Sequence, residues 1–283
     1  MRIFLAGGTG AIGRLLVPLL LADGHQVTAL TRRDPSLLHR QGATAVVGDV
    51  YDAASLREVV AAARPDVVMH QLTDLGSRDF AANGRIRRVG TRNLVDAALA
   101  AGARRVITQS ISWAYEGGDD PATESTPLDL AAADAGRRGM VEAVAELENI
   151  TAEAPEWIVL RYGMLYGPGT WYTKGGLMAD LAVAGDLPTG SDITSFLHVE
   201  DAAIAAVKAL NWPTGPVNIV DNDPAPASAW SPVFAESVGA PAPPPTESSR
   251  PVWARGASNT RARVDLAWTP THPTWRSGFA GDQ

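Results

Sequence analysis

The chain has 283 residues, 46% of them hydrophobic and 19% charged, with a formal net charge of −7. That length fills one large core or two unequal lobes, and the lack of a long basic run argues against nucleic acid or an anionic membrane surface as partner. The absence of cysteine excludes disulfides, thiolate nucleophiles and Cys-ligated metal sites, and no metal is expected from the remaining pattern.

Ile3 to Ala6 read as a buried strand and Ile12 to Leu21 as a helix with apolar residues at helical spacing. The opening apolar run is short and enters glycines without a small-residue cleavage pattern, unlike a signal peptide, so a cytoplasmic location is expected. A second strand follows at Gln26 to Leu30, and further short apolar runs end at Asp49, Gln71, Ser110 and Gly163. Strands alternating with helices of this length predict a doubly wound α/β fold of the Rossmann type with a parallel sheet. Gly239 to Pro251 is too proline-rich for a helix or a central strand and reads as a rigid surface connection.

Gly7, Gly10 and Gly13 fall on the first strand-to-helix turn, where missing side chains let the backbone approach a pyrophosphate and the helix N-terminus attracts its charge. The alternative is a turn kept only for tight packing, but the strand before and helix after favour the nucleotide. After the second strand stand Thr31, Arg32 and Arg33. An acidic residue at that point would pair with a ribose 2′-hydroxyl, whereas arginine accepts a 2′-phosphate, so NADP(H) is expected over NAD(H). Two solvated arginines, partly neutralised by Asp34, are the blander reading.

With these motifs in order, "GGTGAIG", "GDVYD", "VGTRNLVDAA", "TQSISWAYEGG", "VLRYGMLYGPGT", "FLHVEDAA", "GPVNIVD" and "DLAWTPTHPTWRSGF", the chain resembles the extended short-chain dehydrogenase/reductases, also called the NAD-dependent epimerase/dehydratase family. The resemblance implies a dinucleotide-binding lobe from residues 1–165 and about 192–220, and a smaller C-terminal substrate lobe from about 166–191 and 221–283. It assigns Ala11 and Ile12 to the phosphate turn, Asp49 and Val50 to the adenine-side loop, and Gln71 and Leu72 to the next strand end. Family chemistry rests on a Tyr and a Lys one helical turn apart, the phenol acting as acid/base, with a Ser or Thr on the preceding strand end. Here the family spacing puts Asp134 at the Tyr position and Arg138 at the Lys position, and no Tyr occurs between Tyr115 and Tyr162. Arg138 can still hold a ribose, but its fixed charge does not replace a phenol.

The remaining candidates are Ser110 and Ser112 as donors to a substrate oxygen, Asp134 or water as the proton source, and Tyr166 as a replacement phenol. Each serine reads equally well as bonding its own turn, and the tyrosines as pocket-wall residues. Trp113, Tyr162, Met164 and Trp171, with Tyr172 and Trp230, are candidates for an apolar substrate pocket. Met164 stands where many family members carry Asn, which argues against a nucleotide sugar. His198 reads as a hydrogen-bonded structural residue. The expected activity is reduction of a carbonyl, imine or activated alkene of a hydrophobic small molecule. The alternative is a non-redox isomerase, cyclase or dehydratase-like enzyme, or a nucleotide sensor. Homodimerisation is left open.

Overall fold

The computed structural model describes residues 1–74 and 80–281, and the chain divides into two compact units. The first comprises Met1–Ser110, Leu130–Leu160 and Ala203–Pro216, and the second Ile111–Asp129, Arg161–Ala202 and Val217–Gln283.

The first unit begins with β1 (Arg2–Ala6), α1 (Ala11–Ala22), β2 (Gln26–Thr31), α2 (Ser36–Gln41), β3 (Thr44–Val47), α3 (Ala53–Ala63) and β4 (Val67–His70). It continues with α4 (Phe80–Arg85), a π-helical turn at Ile86–Gly90, α5 (Thr91–Ala100), β5 (Arg105–Ile111), α6 (Ala135–Thr151) and β6 (Glu156–Tyr162), with the last residues of β5 and β6 falling in the second unit. The seven-stranded sheet runs in the order β10-β6-β5-β4-β1-β2-β3, where β10 is Gly215–Ile219. From β5 through β4, β1 and β2 to β3 every pairing is parallel, so the doubly wound expectation is met. Strand order reverses between β1 and β4, which opens a crevice at their carboxyl ends. The core on one face joins Phe4 and Val68 of the sheet to Leu56 and Val60 of α3 and Leu94 and Val95 of α5. Burial on both sides explains why β4 reads as a continuous apolar run.

The second unit holds β7 (Met164–Tyr166), α7 (Leu177–Ala184), β8 (Ile193–Thr194), β9 (Phe196–His198), α8 (Val199–Lys208, which crosses the boundary), β11 (Ala225–Pro226), α9 (Ala227–Ser237) and α10 (Trp275–Gly281). Its centre is an aromatic cluster in which Tyr166, Tyr172, Phe196, Trp230, Phe234, Trp275 and Phe279 pack mostly edge to face. The expected nucleotide lobe, 1–165 and about 192–220, includes 111–129, 161–165, 192–202 and 217–220, which lie in the second unit. They group with the second unit because β9 pairs with β7 and because Tyr115 donates to Asn218 and accepts from Arg161. Residues 240–250 form neither helix nor strand, in keeping with their prolines.

Candidate functional site

At the ends of β1, β2 and β4 the first unit holds a cavity of about 200 Å³. Six of the expected residues line it: Gly7, Gly10, Arg32, Val50, Gln71 and Leu72. Gly7 has φ 103°, and a Cβ there would collide with the Gln71 carbonyl. At Gly13 a Cβ would run into the Gly7 carbonyl oxygen and the backbone of Gly8. The two glycines thus press the turn against the end of β4 and seat α1 directly behind it. Gly10 caps α1 without a side-chain hydrogen bond, which leaves the first-turn amides of Ala11 and Ile12 to an anion. Gln71 is buried, and neither its Nε2 nor its Oε1 has a protein partner; a buried amide costs free energy unless something bonds it. Glycine cradle, open helix start and orphaned amide together fit a dinucleotide.

Of the two arginines after β2, only Arg32 lines the cavity, while Arg33 is exposed beside it. Tyr51 forms part of the wall, and the Arg85 guanidinium lies over its ring, 4.1 Å from the centroid. Asp49 is exposed, its carboxylate accepting the Tyr51 N–H at 2.9 Å; it shapes the loop and does not line the cavity. His70, missed in the sequence, is fully buried at the end of β4. Its Nδ1 accepts the Leu72 N–H at 3.2 Å, and its Nε2 lies 2.9 Å from the Thr91 hydroxyl. Since Nδ1 accepts, the proton sits on Nε2 and the ring is neutral; burial pushes its pKa down to about 4. His70 thereby fixes the backbone that carries Gln71 and Leu72.

The start of α6 departs from expectation. Asp134 is exposed and is the N-cap of the helix, its carboxylate accepting the Arg137 N–H at 2.7 Å. A carboxylate stabilises a helix start in just this way. The Arg138 guanidinium donates to the Ala132 carbonyl, in the loop before its own helix, at 2.8 Å. Ser110 is buried, and its Oγ donates to Glu148 Oε1 at 2.8 Å, which ties it to α6. Glu148 also faces Arg87, whose burial lowers its pKa to about 10 against the pull of that carboxylate. This Ser110–Glu148–Arg87 group had no signal in the sequence, because its members come from three separate elements.

The remaining candidates belong to the second unit. Ser112 is buried, and its N–H donates to the Tyr162 carbonyl at 2.9 Å. Tyr162 is itself buried, with its hydroxyl donating to the Ala202 carbonyl at 3.2 Å, so it packs and does not line a pocket. Tyr166 is only 1% exposed inside the aromatic cluster, which does not suit an acid/base phenol. Tyr172 and Trp230 are also core, and burial raises the Tyr172 pKa above its ordinary value. Trp113, Met164 and Trp171 stay half-buried, the last two packed against that cluster. His198 is buried and lies against His272, with ring centroids 3.6 Å apart and the ring planes tilted by 35°.

The model of the NAD(P)H-binding family matches residues 7–209. The 3-diazoavenalumate denitrifying reductase of a Streptomyces species is 46% identical over 303 aligned residues, covering 99% of both chains. A UDP-glucose 4-epimerase of Mycolicibacterium smegmatis is 27% identical and covers 95% of this chain and 94% of its own. Among solved structures, the UDP-glucose 4-epimerase of Thermotoga maritima with UDP-glucose superposes with a TM-score of 0.78 at 19% identity, covering 100% of this chain and 97% of its own. The Thermus thermophilus UDP-glucose 4-epimerase complex with NAD gives 0.76 at 21% identity, covering all of both chains. These structures share the fold.

Proposed function

This chain belongs to the NAD(P)H-binding family of extended short-chain dehydrogenase/reductases, and from that premise we propose that it is an NADP(H)-dependent reductase of a hydrophobic small acid carrying a nitrogen leaving group. One observation carries the reading: the glycine turn and the orphaned Gln71 amide fit a dinucleotide, yet α6, from its Asp134 cap to Thr151, bears no tyrosine. A bound nicotinamide supplies hydride, two electrons and one hydrogen. Reduction of a carbonyl also demands a proton at the developing oxyanion, the task of the family phenol. Replacement of a diazonium nitrogen does not: a C–H bond forms, the C–N bond breaks with its electron pair leaving on N₂, and no oxygen has to be protonated. The name of the Streptomyces relative, a denitrifying reductase of a diazo acid, supports the same class.

In this reading Gly7, Gly10, Ala11, Ile12 and Gly13 form the pyrophosphate turn, Arg32 takes the 2′-phosphate, Val50 walls the adenine side, and Gln71 and Leu72 hold the inner edge. Ser112 is the proposed hydrogen-bond donor to a polar atom of the substrate. Incubating the protein with an aryl diazo acid and stereospecifically deuterated NADPH tests the proposal. The expected outcome is one N₂ released per cofactor oxidised, with the deuterium found at the former C–N carbon. Cofactor oxidation without N₂, or N₂ release without label in the product, overturns it.

A further inference from the structure

Three side chains distant in sequence converge within the second unit. His198 ends β9, Glu200 lies in the first turn of α8, and His272 comes from the segment before α10. His272 Nε2 is 3.0 Å from Glu200 Oε2, and His198 Nδ1 is 3.9 Å from the same oxygen. One ligand atom from each residue lies within 4.8 Å of the other two, the one such group of three among the described residues. The backbone bearing His272 is held from behind: Asp201, fully buried, accepts the Thr271 N–H at 2.7 Å and the His272 N–H at 2.9 Å.

We propose that His198 Nδ1, His272 Nε2 and the Glu200 carboxylate form a binding site for a zinc-type divalent cation, with water as the fourth ligand. Tetrahedral zinc with ligand bonds of about 2.0–2.1 Å has edges of about 3.3 Å; the two separations to Glu200, 3.0 and 3.9 Å, lie within about 0.6 Å of that edge, and the third, under 4.8 Å, within about 1.5 Å. Two imidazoles with centroids 3.6 Å apart and planes tilted by 35° repel each other if both are protonated, whereas one cation draws on the lone pairs of both neutral rings. The carboxylates of Glu200 and Asp201 supply the compensating negative charge. Two imidazole nitrogens with one carboxylate favour zinc over magnesium or calcium, which call for oxygen-rich shells. The Glu200 side chain is 55% exposed and that of His272 24%, so solvent reaches the open coordination position. The contacts such an ion replaces are modest: the hydrogen bond between His272 and Glu200, and a long one of 3.3 Å from the Glu200 N–H to His198 Nδ1. Bound there, the cation ties the segment before α10 to the corner between β9 and α8 and stabilises the second unit by mass action.

The test uses the full chain without an affinity tag, stripped with a chelator and titrated with Zn²⁺ by calorimetry and with Co²⁺ by visible absorption. One equivalent of Zn²⁺ is expected, with tetrahedral-type Co²⁺ bands and a raised Tm. His272→Ala and Glu200→Gln should each weaken binding at least tenfold and abolish those bands. His272 and Glu200 are part-exposed; should either variant fail to fold, the other decides. No stoichiometric Zn²⁺ binding by the parent chain, or binding unchanged in the folded variants, overturns the site.

Discussion

Arg32 and Arg33 are adjacent in sequence and both exposed, but only Arg32 lines the cavity at the strand ends. The sequence made a cationic strand end legible and favoured Arg32, and both arginines stand in the bend that follows β2. A charge-assisted hydrogen bond to a phosphate contributes about 1.5–3 kcal/mol, which is roughly ten- to hundredfold in affinity. Arg32→Ala should therefore weaken NADPH by about that factor while NADH changes about threefold at most, as read by titrating both cofactors. Equal losses for both would remove Arg32 from the 2′-phosphate. The glycines were legible for a different reason: nothing with a Cβ fits at Gly7 or Gly13. Gln71 gave no comparable sign, because an orphaned amide exists only once the strands around it are buried.

Among the elements, the long strands announced themselves as β-branched runs, whereas β7, β8, β9 and β11 hold only two or three residues each and fall below any periodicity. The start of α6 shows a different failure. A carboxylate where a family phenol belongs invites an acid/base reading, yet the same residue type is a preferred helix cap, and geometry favours the cap. Asp134→Ala should lower stability by about 0.5–2 kcal/mol and leave turnover within about tenfold of the parent. The urea midpoint and kcat, measured on one preparation, decide between the two roles. Unchanged stability with a loss of ~10² or more in kcat would make Asp134 the acid after all.

At the scale of the whole molecule, the sequence marked two lobes, and the compact units divide the chain differently at 111–129, 161–165, 192–202 and 217–220, where long-range pairing such as Tyr115 with Asn218 and β7 with β9 operates. Each unit also buries a titratable group that local sequence could not flag, and their pH responses oppose each other. His70 in the first unit is pushed by burial from 6.5 down to about 4. Between those values the unfolded chain binds the extra proton, so this group's contribution rises with pH and is lost on acidification. Asp221 in the second unit is raised from 3.8 to about 8, chiefly by burial, with Asp223 and Asp201 adding like charge against the hydrogen bonds from the Asp223 and Trp275 N–H groups. Here the folded state holds the extra proton, so the contribution is complete below 3.8 and is lost as pH rises to about 8. One proton corresponds to at most about 1.4 kcal/mol per pH unit. From about pH 4 to 6.5 the two slopes cancel, and above that Asp221 acts alone. In urea unfolding followed across pH, His70→Gln should therefore make stability fall with rising pH over the lower window relative to the parent. Asp221→Asn should make it rise there and remove the decline between about 6.5 and 8. Parallel curves for parent and variants would show that neither group titrates differently in the folded and unfolded chains.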